Sequence, residues 1–423
     1  MIQSQLRKGN MADEPRIQII EDANAFLPPS VLRMVAHPKD QSPRETFDAS
    51  RLKINLTSSP RPVPLPGSPE LLSNKVCTDH MVTVRWTSEQ GWADPELVPY
   101  GPLSLMPTAS VLHYSTACFE GMKVYRGLDG KLRLFRPGYN CGRMLASALR
   151  ISLPGSDPQQ LLELIRKLCA VDGPKWLPQD RVGQSLYLRP TFIGSDPNLG
   201  FQVPQEAMLF IIISYWPPPP PAKTGLELLC SGEDVVRAWP GGTGSAKISG
   251  NYGPSLLAHG EAKKNGFDQV LWLFGSEGYV TEAGSSNFFA IWRTGDGKLQ
   301  LVTAPLGEHT ILAGVTRKSV IELTRTRLDQ ASSSQLDIEP LEVFEANFTI
   351  SDLIKASDEG RLLGAFAVGT ACFMQLVVRI QYKERIIEIP PDEVPHIAIL
   401  QGWMSGILVG NDKYEWTDVI SEE

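Results

Sequence analysis

The chain lacks an apolar run long enough to cross a bilayer: the longest, roughly Met208 to Trp216, falls far short of the ~20 residues a spanning helix needs. That run reads as a buried strand. An excess of basic charge is also missing. Lys and Arg number 40 against 47 Asp and Glu, a net charge of −7, so there is no electrostatic footprint for nucleic acid or an anionic membrane. The six cysteines (Cys77, Cys118, Cys141, Cys169, Cys230, Cys372) fall in apolar segments without paired C-x-x-C spacing or nearby clusters of histidine. This speaks against a disulfide framework or a metal site and for reduced, mostly buried thiols. The N-terminus has no apolar signal core and carries Asp13, Glu14, Glu21 and Asp22 soon after Arg7 and Lys8, unlike a transit peptide. The cytoplasm is therefore the expected compartment, ahead of the mitochondrion, and the expected partner is a small molecule.

What is present is a chain of 423 residues, 42% apolar, long enough for two domains with sizeable cores. Residues 1–70 have few long apolar runs and end in a proline-rich stretch, Ser59 to Pro66, which predicts an extended, partly mobile arm. From Met81 the pattern is strand-like (MVTVRW, VLHYSTACFEGMKVYRG, KLRLFRP) and then takes a helical period over 140–151 and 159–171. Two strands, QSLYLRPTFIG and AMLFIIISYW, complete a domain over 71–216. The run Pro217 to Pro221 can continue neither helix nor central strand, so 217–225 reads as a linker. Over 226–423 strand-like runs alternate irregularly with helical stretches at 254–264, 315–328 and 397–408, without a βαβ repeat. The fold class is α/β with α+β character.

Chemistry concentrates around Lys247, which glycines crowd on both sides in WPGGTGSAKISGNYGP. A phosphate-binding P-loop needs Gly directly before the lysine and Ser or Thr directly after; Ala246 and Ile248 stand there instead. The dinucleotide fingerprint also fails, since Gly242-Thr243-Gly244 lacks its third glycine. A lysine in a glycine-lined, partly apolar setting can lose its charge and attack a carbonyl, which is the entry to imine chemistry. Taken alone, such a lysine is far more often a solvated cation on a glycine-rich loop. Glu282, set among small residues in VTEAGSSN, is either a solvated turn acid or the buried carboxylate that keeps a pyridinium nitrogen protonated.

The stretches LHYSTACFEGMKVYRG, LFRPGYNCGRML, SLYLRP, SAKISGNYGP, VTEAGSSN, LAGVTRKS and VGTAC, in this order, resemble the motif set of branched-chain aminotransferases of PLP fold type IV, over roughly Cys77 to Trp416. The resemblance implies a homodimer, each subunit with a smaller N-terminal α/β domain, a larger C-terminal domain and pyridoxal 5'-phosphate between them. It implies that Lys247 bonds the cofactor, that Glu282 faces the pyridine nitrogen, and that Tyr252 reaches the 3-oxygen. Arg143, the Val315 and Thr316 amides at a helix N-terminus, and Thr370 would hold the phosphate. For the substrate it implies Tyr187 and Arg189, which the period of two puts on one strand face, with Tyr114 from the other subunit, at the distal carboxylate of glutamate. Phe119 would line the apolar pocket and the Thr370-Ala371 backbone would take the α-carboxylate.

The reaction so implied exchanges the amino group of leucine, isoleucine or valine with 2-oxoglutarate and glutamate, through amino-acid and 2-keto-acid partners. Rival readings are a transaminase of the same fold acting on D-amino acids, amines or aromatic amino acids, an aminodeoxychorismate lyase, and a non-catalytic cofactor-binding protein. Three departures from the family pattern bear on substrate and regulation: Cys77 where many members have Phe, Phe201 in a loop where a smaller residue is common, and Cys372-Phe373-Met374-Gln375 in place of C-x-x-C.

Overall fold

The computed structural model describes residues 46–65, 67–73, 75–216 and 224–422. The arm over residues 1–45 and the proline run of the linker lie outside the described residues. The described residues divide into two compact units: those within 46–216, with 246–249 and 418–422, form the first, and 224–245 with 250–417 form the second.

The first unit is built on strands β1 (Lys53–Ile54), β2 (Cys77–Thr87), β3 (Gly91–Trp92), β4 (Glu96–Pro99), β5 (Ala117–Phe119), β6 (Met122–Arg126), β7 (Leu132–Phe135), β8 (Ser185–Gly194) and β9 (Glu206–Ser214). Their order is β1-β4-β2-β9-β8-β6-β7, with Thr417–Val419 on the outer edge, β3 beside β2 and β5 beside β8. The helices of this unit include α1 (Ser110–Tyr114), α2 (Pro137–Arg150) and α3 (Pro158–Trp176). α3 starts where Asp157 accepts the Gln159 amide proton and Pro158 presets the first turn. It buries Leu161, Leu164, Ile165 and Leu168, an i, i+3, i+4, i+7 stripe, into a core shared with Val82, Val124, Leu186 and Ile211. The strand-like reading of the stretch from Val111 is corrected at its start. Residues 110–114 are helical, Ser110 is tied to Asp196 through backbone and side chain, and Ser115 ends the turn in the left-handed region at φ 53°. So short an apolar run has no period long enough to separate helix from strand.

The described part of the N-terminal segment, 46–65, is docked. Phe47 is fully buried, edge-on to Trp92 at 5.0 Å. His80 Nδ1 meets Asp172 Oδ1 at 2.6 Å, which leaves Nε2 to accept the Thr57 amide proton at 2.9 Å. All six cysteines are free thiols, and burial pushes those of Cys118, Cys141 and Cys169 well up from their ordinary range, into unreactive form.

The second unit carries β10 (Leu226–Cys230), β11 (Gln269–Phe274), β12 (Tyr279–Ala283), β13 (Ser286–Arg293), β14 (Leu299–Thr303), β15 (Glu342–Glu345), β16 (Leu362–Gly369), β17 (Phe373–Tyr382) and β18 (Arg385–Glu388). The order is β12-β11-β10-β17-β16-β13-β14-β15, and β12 also pairs with β13, so six strands close on themselves. Phe288, Ala290, Leu271, Val280 and Ile380 fill the core. Around it lie α4 (Ser255–Lys264), α5 (Val315–Arg327), α6 (Gln330–Leu336), α7 (Ile350–Asp358) and α8 (His396–Val409).

Candidate active site

In the first unit the Lys247 segment is pinned like an added strand. Its carbonyl accepts the Phe119 amide proton at 3.1 Å, its own amide donates to Ser147 Oγ at 2.8 Å, and Ile248 bridges to Cys118. The amine lies 4.9 Å from the centre of the Phe119 ring. The Arg189 guanidinium lies 4.6 Å from the same ring, and its Nη2 donates to Tyr187 Oη at 3.2 Å. Lys247, Phe119, Tyr187 and Arg189 therefore meet around one aromatic ring. Gly121 lets this happen, since a Cβ there would lie 1.9 Å from the Tyr187 hydroxyl. Arg189 Nε is buried and has no hydrogen-bond partner among the described residues, a donor suited to an acidic ligand.

Glu120 follows Phe119 where the partner of β8 changes from β5 to β6. Pro190, with no amide proton to give, occupies that junction, and its carbonyl accepts the Glu120 amide proton at 2.8 Å. The Glu120 side chain is fully buried. Asn140, Arg143 and Ser147 share one face of α2, at i, i+3 and i+7. Arg143 donates to both Glu120 oxygens, Nε to Oε1 at 2.7 Å and Nη2 to Oε2 at 2.8 Å. Asn140 Nδ2 and the Gly121 amide donate to Oε2 at 2.8 and 3.1 Å. Burial pushes the Glu120 carboxyl up, but the Arg143 charge and hydrogen bonds, the Lys247 charge and the Asn140 amide outweigh it, so it is held below its ordinary range. Tyr114 is not in this cluster: its hydroxyl donates to the Leu199 carbonyl at 2.5 Å and its ring meets Phe201 edge-on at 5.6 Å.

In the second unit the hairpin β12–β13 sets Glu282 directly opposite Asn287. Asn287 Nδ2 donates to Glu282 Oε1 at 3.1 Å and to the Leu312 carbonyl at 2.8 Å, while the Leu312 amide donates to the same Oε1 at 3.2 Å. Gly314 precedes α5 and closes on this group, because a Cβ there would lie 2.1 Å from Asn287 Oδ1. The N-cap of α5 is Gly314, which has no side chain to cap the helix that Val315 and Thr316 open. Asn287 also pairs with Val368 on β16, which leads into the turn of Thr370 and Ala371. Glu282 Oε2 lies 2.6 Å from Arg237 Nη1, an ion pair outside hydrogen-bond angles, with both side chains buried. Arg237 and Tyr252 line one cavity of about 210 Å³.

Glu120, Asn287 and Arg237 are not singled out by sequence reasoning. A lone charge inside an apolar run, as in Cys118-Phe119-Glu120-Gly121-Met122 or Val235-Val236-Arg237-Ala238-Trp239, is the signal that could have found two of them.

The chain matches the profile of Amino-transferase class IV over residues 117–366. It is 41% identical over 401 residues to the mitochondrial branched-chain-amino-acid aminotransferase of Schizosaccharomyces pombe, covering 93% of this chain and 90% of that protein. It is also 41% identical over 378 residues to the cytosolic branched-chain-amino-acid aminotransferase of Mus musculus, covering 88% and 93%. Among solved structures, the branched-chain aminotransferase of Thermoproteus uzoniensis with norvaline shares the fold at a TM-score of 0.61 and 23% identity, covering 80% of this chain and 100% of that one. The PLP form of the branched-chain amino acid aminotransferase of Thermobaculum terrenum shares it at a TM-score of 0.60 and 21% identity, covering 80% and 98%. The chain is an aminotransferase of class IV and belongs to the branched-chain-amino-acid aminotransferase family.

Proposed function

We propose that the enzyme moves the amino group of leucine, isoleucine or valine to 2-oxoglutarate, with pyridoxal 5'-phosphate bonded to Lys247. The observation that carries this reading is the convergence of Lys247, Phe119, Tyr187 and Arg189 around one ring, because it joins an amine, an apolar wall and an underused cation. An aliphatic side chain packs on Phe119; a distal carboxylate is taken by Arg189 and the Tyr187 hydroxyl, with Tyr114 of a second subunit beside them. One pocket can then serve both an apolar amino acid and glutamate.

The residues of the second unit fit the cofactor. Glu282 is a buried acid fixed from three sides, and the start of α5, with glycine at its N-cap, offers amides to an anion. When bound, pyridoxal 5'-phosphate supplies the electron sink that lets an amino group leave one carbon skeleton and join another. Glu282 holds the proton at the ring nitrogen, and Tyr252 binds the 3-oxygen. Arg143, the Val315 and Thr316 amides and the Thr370 hydroxyl bind the phosphate, while the Ala371 backbone orients the α-carboxylate. Once the incoming amino group has displaced it, the freed Lys247 amine would take the proton from the substrate Cα as base and give it back as acid. A homodimer is part of the proposal: Phe201 is 92% exposed against Tyr114, an apolar side chain waiting for cover. The cytoplasm is the proposed compartment. Purified protein given pyridoxal 5'-phosphate should turn yellow and form glutamate from leucine and 2-oxoglutarate; a preference for D-alanine or a simple amine would refute the substrate assignment.

A further inference from the structure

Glu282 has a partner that the reaction as described does not use. The Arg237 side chain is 6% exposed and that of Glu282 2%, so both charges are held out of water, where either one alone is costly. The carboxylate is divided between its neighbours. Oε1 takes the Asn287 and Leu312 donors, and Oε2 lies against Arg237. Arg237 also borders the cavity that Tyr252 lines with His259, Gln269 and Trp272. This cation is thus placed at the acid and on the same cavity as the tyrosine assigned to the cofactor ring.

We propose that Arg237 is a positioning residue acting through Glu282: it keeps this buried carboxylate charged and aimed in the cofactor-free protein, and it weakens the carboxylate's pull on a proton at the pyridine nitrogen. The inference rests on the proposed cofactor role of Glu282. A carboxylate shared with a guanidinium presents less negative potential to a second proton-bearing group than one left alone. Removing the cation therefore makes the ring environment more negative and favours the protonated form of the bound cofactor.

The test is the pH titration of the bound cofactor's absorbance in the full-length enzyme, for wild type, Arg237→Met, Arg237→Gln, Arg237→Lys, Glu282→Gln and the Arg237→Met/Glu282→Gln double variant. Thermal melts of the same proteins without cofactor accompany it. Both neutral variants should raise the absorbance midpoint by about one pH unit, roughly tenfold in proton affinity, and Arg237→Lys should recover most of the shift. With Glu282→Gln already present, Arg237→Met should move the midpoint by less than about threefold, the mark of action through the carboxylate. Lowered melting with unmoved midpoints would make Arg237 a structural ion-pair partner and overturn the inference. Equal midpoint shifts with and without Glu282 would overturn it as well. Wild-type protein that stays colourless with pyridoxal 5'-phosphate would instead remove the cofactor reading itself, and the inference with it. Arg237→Gln, which retains amide donors, keeps the test in force if Arg237→Met does not fold.

Discussion

Glu120→Gln keeps the shape of the side chain and removes its charge, and it should be among the most damaging conservative changes in the first unit. In the wild type the carboxylate accepts two hydrogen bonds from Arg143, one from Asn140 and one from the Gly121 amide. A glutamine offers one acceptor oxygen and turns an NH₂ group toward a donor, leaving a guanidinium that is 4% exposed without its counter-charge. Breaking one side of a buried pair costs about 3–5 kcal/mol. At about 2–4 °C per kcal/mol for a unit of 150–250 residues, the cofactor-free protein should melt roughly 6–20 °C lower at pH 7. The sign with pH follows from the lowered carboxyl. Its stabilisation is fully present above the ordinary value near 4.5 and is lost as pH falls through the depressed folded value. The gap between wild type and variant, measured by differential scanning calorimetry, should be widest near neutrality and narrow below about pH 4.5. Melting within about 2 °C of wild type at pH 7 would mean that Arg143 finds another partner and that the pair is not a linchpin of this unit.

Lys247→Ala should abolish transamination while the protein stays folded, as circular dichroism would check; near-normal turnover would remove Lys247 from the chemistry. Arg189→Ala should cost about 2–5 kcal/mol in kcat/KM for glutamate and far less for leucine. Equal losses for both would make Arg189 scaffolding. Cys77 pairs with Ser214, which pairs with Tyr187, so all three lie in one cross-strand row; Cys77→Phe should thus shift preference from long or aromatic side chains toward valine, by roughly fourfold per methylene of pocket lost. A leucine-to-valine ratio of kcat/KM unchanged within about twofold would place Cys77 outside the pocket.

Much of this architecture is legible in order along the chain. Alternation puts Tyr187 and Arg189 on a shared face, and a hydrogen bond between their side chains joins them. Helical period locates α2 and α3 to within a few residues of their ends, apart from the C-terminal turn of α3. Lys247 stands out because glycine density is a local property, and so does Glu282 among small residues. The turn at Ser110–Tyr114 reads as strand in the sequence because its apolar run is shorter than either period needs.

What stays hidden is the counter-ion of each important charge, and the reason is physical. A charge in an apolar run will be buried, and burial without a partner is too costly to survive, so Glu120 and Arg237 each announce that a partner exists. They do not announce which one. Arg143 lies 23 residues from Glu120, and the contact depends on α2 presenting Asn140, Arg143 and Ser147 on the face that meets the β5–β6 junction. That face follows from the helical period, but its rotation toward the sheet is set by the core residues of α2, Met144 and Ala148 among them. The counter-ion of a buried charge is thus decided by packing at some distance from it. A sequence can supply the demand for a partner, and only the folded core selects the residue that meets it.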